Sequence, residues 1–557
     1  MRFLARLNSL NISILTAVLT ATIGLCAFFS SLMRPPTAYQ WPAIDMFPYF
    51  LIRTGEASLS SDFFSQCSVL PSPRHIFGAM VLSLAASLRL HWYAVLYLIQ
   101  CLVSVLTPAA MFLALVFAVR RLSIARLTPA FPVVLALLII FGEFNPHFFE
   151  TFALGWWPAY ITQATPHAVS QLVSALAIPL LLARSRHIFA LGCTLAAAGV
   201  LLHPTVGASA AGVAAVVLSI ETQWKRALVV VGSVFGAAIA IVLFYAEPSH
   251  ISALEFVRIY ARGAHPSHYI PSQFAPLYVP AFLAAFIGIH WYTPLAATVI
   301  CLTAAAFLFH RTAEAKLAKF CMAAVAVLVG LILLQYCFVE IHPIKIVATI
   351  GPSTALLWNF WLFAMSMALL CDWIFVQIRQ DALPVALFSS AENWWSACSI
   401  CFGAVLGVLL SFISHDQLAS TPMARNGPVL TWIKSHTPED AVFMVPQDGD
   451  WAFDIPIVAH RGVFFGNGFP FTERCFRGYE AREQATFGTP EQVTAAPGAW
   501  IGAKYEALYD AHSELYFASL RQKWKLDYVI VRKGVATSLF HKAPSFSTAD
   551  FSIYELR

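Results

Sequence analysis

Residues 12–62 read ISILTAVLTATIGLCAFFSSLMRPPTAYQWPAIDMFPYFLIRTGEASLSSD. The segment 12–33 carries no charge and is long enough as a helix to cross the hydrocarbon core of a bilayer. Arg34-Pro35-Pro36 follows, and then a region dense in Tyr, Trp and Phe that holds Asp45, Arg53, Glu56 and Asp62. Carboxylates fixed at a membrane surface directly behind a first helix are what a reaction on a lipid-borne substrate requires. The basic start, Met1 to Arg6, resembles a signal sequence. Its apolar run is long for one, and no small-x-small cleavage site precedes Arg34, so it reads as a retained signal anchor.

The rest of the chain repeats the pattern. Of 557 residues, 59% are hydrophobic and only 11% charged, with mean hydropathy +0.71. Soluble domains carry roughly 25% charged residues. The deficit, with repeated apolar runs, predicts an α-helical polytopic membrane protein and argues against a β-barrel, whose strands alternate apolar and polar side chains. The net charge of +5 gives no reason to expect nucleic acid. About eleven spans are expected, at 12–33, 91–119, 127–142, 166–184, 187–203, 204–221, 226–246, 291–309, 318–338, 353–375 and 394–414. Basic residues then fall on one side: Arg2 and Arg6, Arg120, Arg121 and Arg126, Arg184 and Arg186, Lys225 and Arg226, Arg311, Lys316 and Lys319, and Arg379. The positive-inside rule makes that side cytoplasmic. An odd number of spans places the C-terminus outside, in the periplasm of a bacterium whose inner membrane holds the chain.

Residues 76–90 and 276–289 are too short to span and read as interfacial or re-entrant helices. The turn at His203-Pro204 separates two spans, or else kinks one long helix. Residues 1–415 therefore form a transmembrane domain. From 416 onward charges, Gly and Pro return, and 416–557 reads as an extracytoplasmic α/β domain. Strands are expected at Ala441–Pro446, Asp527–Arg532 and Phe551–Leu556, with helices at Pro428–Lys434 and Trp500–Lys525. The cysteines lie mainly within spans. Cys398 and Cys401 have CxxC spacing but read as small core residues one turn apart. Cys67 and Cys475 alone fall in extramembrane regions, where a disulfide can join them although nothing in the sequence requires it.

Polar and aromatic residues concentrate in four outer loops. The first, Arg34–His75, supplies the general-base candidates. A carboxylate among apolar neighbours loses hydration, which raises its pKa toward the working pH. Asp45 has that setting, whereas Asp62, before Phe63-Phe64, reads equally as a helix N-cap. Glu143, Glu150, Trp156 and Trp157 lie in the second loop. Arg258, Arg262, His265 and His268 lie in the third, and Lys345 in the fourth. Arg53, Arg258, Arg262 and Lys345 are cations on the outer face, suited to a lipid phosphate or to interfacial snorkelling. The aromatic residues suit an interfacial belt or stacking on a sugar. His203 stands at a span end. His265-Pro-Ser-His268 lacks a third metal ligand, so contacts to phosphate or sugar hydroxyls are expected there rather than zinc.

This layout resembles the GT-C superfamily of integral-membrane glycosyltransferases, through Asp45 and Asp62 in the first loop and Glu143 and Glu150 in the second. Asp45 is followed by Met46, where that superfamily commonly has an Asp-Glu pair. Leu202-His203-Pro204, the segment His265–Ser272 and Thr437–Phe443 also resemble uncharacterised bacterial multi-spanning proteins. The resemblance implies a polyprenyl-phosphate-linked sugar donor and a glycan, lipid or protein acceptor. Asp45 or Asp62 would then act as base, and Arg53, Arg258, Arg262 or Lys345 would hold the donor phosphate. Glu143, Glu150, Trp156, Trp157, His203, His265 and His268 would bind substrate. The cofactor is left open, a divalent cation being compatible. The alternatives are a transporter or flippase, with charges paired at mid-span, and an inactive GT-C-like scaffold that binds a lipid or a partner.

Overall fold

The computed structural model describes residues 2–33, 46–123, 127–144, 164–245, 251–256, 259, 292–312, 314–350, 355, 357–381, 422–446, 451–465, 472–497, 501–535 and 540–556. The part before residue 382 is helical: α1 (Arg2–Met33), α2 (Phe47–Thr54), α3 (Phe63–Ser68), α4 (His75–Leu88), α5 (Trp92–Leu122), α6 (Ala130–Phe144), α7 (Pro166–Leu181), α8 (Arg186–Leu202), α9 (Pro204–Ile220), α10 (Trp224–Tyr245), α11 (Tyr292–His310), α12 (Ala315–Gln335), a π-helical turn (Tyr336–Ile341), α13 (Lys345–Ile350) and α14 (Asn359–Asp381). A helix overlaps the described part of each expected span up to 353–375. Four stretches, Trp92–Leu122, Trp224–Tyr245, Ala315–Val339 and Asn359–Gln377, are long and apolar enough to cross a bilayer. Others, such as Pro166–Leu181 and Arg186–Leu202, are apolar but shorter. The segments 276–289 and 394–414, with Cys398 and Cys401, and the domain boundary at 415/416 lie outside the described residues.

Small residues hold these helices together, as expected where no hydrophobic effect drives helices to associate within lipid. A Cβ on Gly192 would stand 2.7 Å from the backbone of Leu181, and one on Gly207 would stand 2.3 Å from the Val200 nitrogen. Residues seven apart in one continuous helix are separated by about 10.5 Å along its axis. The contact of Gly207 with Val200 therefore means that the chain reverses at His203, and α8 and α9 are two helices rather than one kinked rod.

Polar contacts join helix ends at one pole of the bundle. Arg121 donates through Nε to both carboxylate oxygens of Glu221, at 3.0 and 2.9 Å. Arg226 donates to the carbonyl oxygens of Leu181 and Ala183. Ser123 donates to Glu314, and the Thr128 backbone N–H donates to Asp372. The starts of α10 and α12 thus meet the ends of α7 and α5, and the ends of α5 and α9 meet each other. At the opposite pole Trp92, which opens α5, donates through Nε1 to Glu56 at 2.6 Å. Trp92 also packs on Phe47 and Phe50 of α2. The α4 helix has 14 residues, about 21 Å of rise, and ends at Arg89 in a left-handed conformation.

The last part holds α15 (Pro422–His436), β1 (Val442–Met444), α16 (Trp451–Asp454), β2 (Gly462–Val463), α17 (Glu473–Phe487), α18 (Pro490–Ala495), α19 (Ile501–Asp510), α20 (Glu514–Lys523), β3 (Tyr528–Arg532), β4 (Phe546–Ser547) and β5 (Phe551–Glu555). The sheet order is β2-β1-β3-β5-β4, with β1 parallel to β2 and β3, and β5 antiparallel to β3 and β4. Alternate side chains enter two cores: Val442, Met444, Val529 and Val531 on one face, Phe443, Tyr528 and Ile530 on the other. Both faces are covered, which is why these strands are almost wholly apolar. The helix expected at Trp500–Lys525 is two helices, because the Ser513 side chain accepts the Tyr516 N–H and begins a new one. The core on the first face continues into Ile251, Phe256, Ile259 and Val339 of the helical part.

Candidate functional site

A cavity of about 880 Å³ lies where the helical part meets α17. One wall is α9 and the others are α10 and α12, both of which pack on α9. The lining is mostly Ala, Val, Leu and Phe. Phe235, Val242 and Val327 belong both to this lining and to the exposed apolar surface of the helices. The apolar wall is therefore continuous with the surface that a bilayer would cover.

The other end of the cavity is polar, and helix starts build it. Arg74 is the N-cap residue of α4; Pro166 and His167 open α7; His203 caps α9 before Pro204; Glu473 opens α17. All of them line the cavity. Local sequence explains the placement. Thr165 accepts the Ala168 N–H and Pro166 follows it, while His203 accepts the Val206 N–H through Nδ1 and Pro204 follows it. A capping residue followed by Pro is a strong helix start. Because α8 and α9 form a hairpin beside α7, the His167 and His203 rings meet at 3.8 Å between centroids. Four helix N-termini, each with partial positive charge, thus border one end of an apolar cavity together with Arg74.

The α17 helix roofs this end and is tied down on several sides. Lys345 forms an ion pair with Glu473, and Arg477 with Glu255 at 3.2 Å. Phe476 packs on Phe256 at 5.4 Å. Cys475 is disulfide-bonded to Cys67, 408 positions earlier in the chain, so the pairing that the sequence allowed is present. A Cβ on Gly478 would lie 2.9 Å from the Phe63 ring, and the Arg482 guanidinium covers the same ring at 4.0 Å.

Asp62 belongs to this fastening and is absent from the described lining of the cavity. It is buried. One carboxylate oxygen accepts the Ser65 N–H at 2.7 Å, capping α3, and the other accepts the Val463 N–H of β2 at 2.7 Å. Burial pushes its pKa up, against the pull of those N–H donors and of Arg482. With both oxygens committed to backbone, the geometry is that of the capping alternative. Arg53 is exposed, lies over the Tyr49 ring at 5.6 Å, and is likewise absent from that lining. Glu56 is engaged by Trp92, Thr54 and His91; burial raises its pKa, but these partners outweigh it and hold the carboxyl below its ordinary value. Lys345 stands beside the roof through Glu473, and the next residue, Ile346, lines the cavity. His203 lines it directly. Asp45, Glu150, Trp156, Trp157, Arg258, Arg262, His265 and His268 lie outside the described residues, as does the side chain of Glu143 in α6.

Arg74, His167 and Glu473 are site residues that the sequence analysis did not select. Each has a local signal in hindsight: a cation before a short apolar helix, a His after a cap-Pro pair, and an acid opening a helix after Gly466 and Gly468. Among the described residues no group of three His, Cys, Asp or Glu gathers to hold a metal. No protein-family model matches the chain, and no curated protein matches it.

Proposed function

We propose that this protein is a membrane glycosyltransferase whose donor is a sugar carried on a polyprenyl phosphate. The observation that carries the reading is the polarity of the cavity: an apolar groove of α9, α10 and α12 ending among four helix N-termini, Arg74, His167 and His203. An amphiphile with an anionic head fits that gradient. Each helix N-terminus stabilises a nearby anion by about 0.3–1 kcal/mol, so four contribute roughly 1–4 kcal/mol if they act together. The isoprenoid tail would lie in the groove, which opens onto the lipid-facing surface.

In this reading the polar pole faces the periplasm across a bacterial inner membrane, and the pole of Arg121, Arg226 and Glu221 faces the cytoplasm. The acceptor is a glycan, lipid or protein on the outer side. Asp45 is the first-loop carboxylate assigned as base, and the phosphate leaves from the Arg74 end, where fixed dipoles stabilise the charge it develops. A transporter fits less well. Among the described residues the buried carboxylates before residue 382, Asp62, Glu314 and Asp372, accept hydrogen bonds from groups at the ends of helices or strands.

The test uses the full chain in nanodiscs with polyprenyl-phosphate-linked sugars as donors. Wild type should release polyprenyl phosphate and transfer the sugar. Arg74→Gln and His203→Ala should each lower donor binding, and Asp45→Asn should abolish transfer while donor still binds. Failure of the wild type to bind any polyprenyl phosphate would end this reading.

A further inference from the structure

Glu473 is the one carboxylate among the described residues that line the cavity, and it occupies a place built for an anion. It is the first residue of α17, it is paired with Lys345, and it shares the cavity with Arg74. The residue before it, Thr472, is the N-cap of α17 and is only 3% exposed. A Thr at this position ordinarily accepts an N–H from the first turn of its own helix. Here the Thr472 side chain makes no capping bond, and its hydroxyl has no hydrogen-bond partner. A buried hydroxyl left unmatched is costly, and such groups are few in native proteins. The start of α17 therefore presents a cation satisfied by an internal carboxylate and an unused buried hydroxyl.

We infer that Glu473 is a resident stand-in for phosphate. The phosphate head of an amphiphile seated in the groove displaces the Glu473 carboxylate from Lys345. It then accepts hydrogen bonds from Lys345 and the Thr472 hydroxyl at the start of α17. No covalent bond changes; one anion replaces another beside the same cation. In the empty site Glu473 keeps Lys345 and the helix start neutralised, and it competes with every incoming anion. The identity of the anion's carrier rests on the amphiphile reading above, while the exchange at Lys345 does not depend on sugar transfer.

Competition gives the two partners opposite signatures. With the full chain in nanodiscs, farnesyl phosphate, farnesol and inorganic phosphate are the probes. Glu473→Gln should tighten farnesyl phosphate roughly tenfold, and Lys345→Met should weaken it by about as much. Thr472→Val should weaken it several-fold, and farnesol affinity should stay constant in all three. Misfolding cannot produce a gain for one variant and a loss for its partner. The inference is overturned if Glu473→Gln weakens farnesyl phosphate or leaves it unchanged, or if farnesol shifts in parallel. It is also overturned if inorganic phosphate binds as tightly as farnesyl phosphate, which would point to a soluble phosphate ligand. Should these shifts appear in a protein that transfers no sugar, the transferase reading fails and the exchange stands. Unshifted affinities in an active transferase mean the reverse.

Discussion

Asp62 has both carboxylate oxygens occupied by backbone donors, one within its own turn and one 401 positions away in β2. A base must offer a lone pair to substrate, and a cap must not lose its acceptors. The two roles diverge under substitution. In Asp62→Asn the amide can accept from only one of the two N–H groups, leaving the other facing a donor. A buried donor stranded in this way costs about 1–3 kcal/mol. Asp62→Ala should cost more, because both Ser65 and Val463 lose their acceptor. Both variants should lower the unfolding temperature in detergent, Ala further than Asn. Transfer per folded molecule should be preserved, whereas a large loss of turnover at unchanged stability would restore Asp62 as a base.

At the scale of elements, α17 joins the two parts of the chain. Its first turns carry Glu473, Cys475, Phe476, Arg477 and Gly478, and each touches the loops or helices that precede residue 382. The Cys67–Cys475 bond makes one of these contacts covalent, which fits an oxidising compartment. Replacing both cysteines with Ser should leave the helices and sheet formed but loosen the roof. A native disulfide that closes a long loop contributes roughly 2–4 kcal/mol. The double variant should therefore unfold at a lower temperature than wild type, and proteolysis at the first turns of α17 should accelerate. Equal unfolding temperatures for variant and oxidised wild type would show that the other contacts hold the roof alone.

For the whole molecule the decisive arrangement is the separation of two poles. One gathers Arg121, Glu221, Arg226, Glu314 and Asp372; the other gathers α2, α4, the starts of α7 and α9, and the sheet domain. If the first pole is cytoplasmic, Lys225→Cys should react with an impermeant maleimide only after cells are opened. Ser435→Cys, exposed on α15, should react in intact spheroplasts. This requires a background without the other free cysteines but with the disulfide kept. Labelling of Lys225→Cys in intact cells would invert the orientation and exclude a periplasmic site.

Much of this was legible in the sequence because it is local. Apolar run length marked the helices, since it depends only on neighbouring residues. The strands at 442–444, 528–532 and 551–555 were readable from apolar content for the same reason. Asp62 showed a capping signature before its partners were known. The tertiary structure decided what lies far apart in the chain: that Cys67 meets Cys475, that Asp62 reaches β2, and that Glu473 joins Arg74, His167 and His203 at one cavity. A helix start announces itself in sequence, but the meeting of four such starts depends on how hairpins and a distant domain pack. Their summed dipoles, the feature on which the functional reading rests, exist only in the assembled fold.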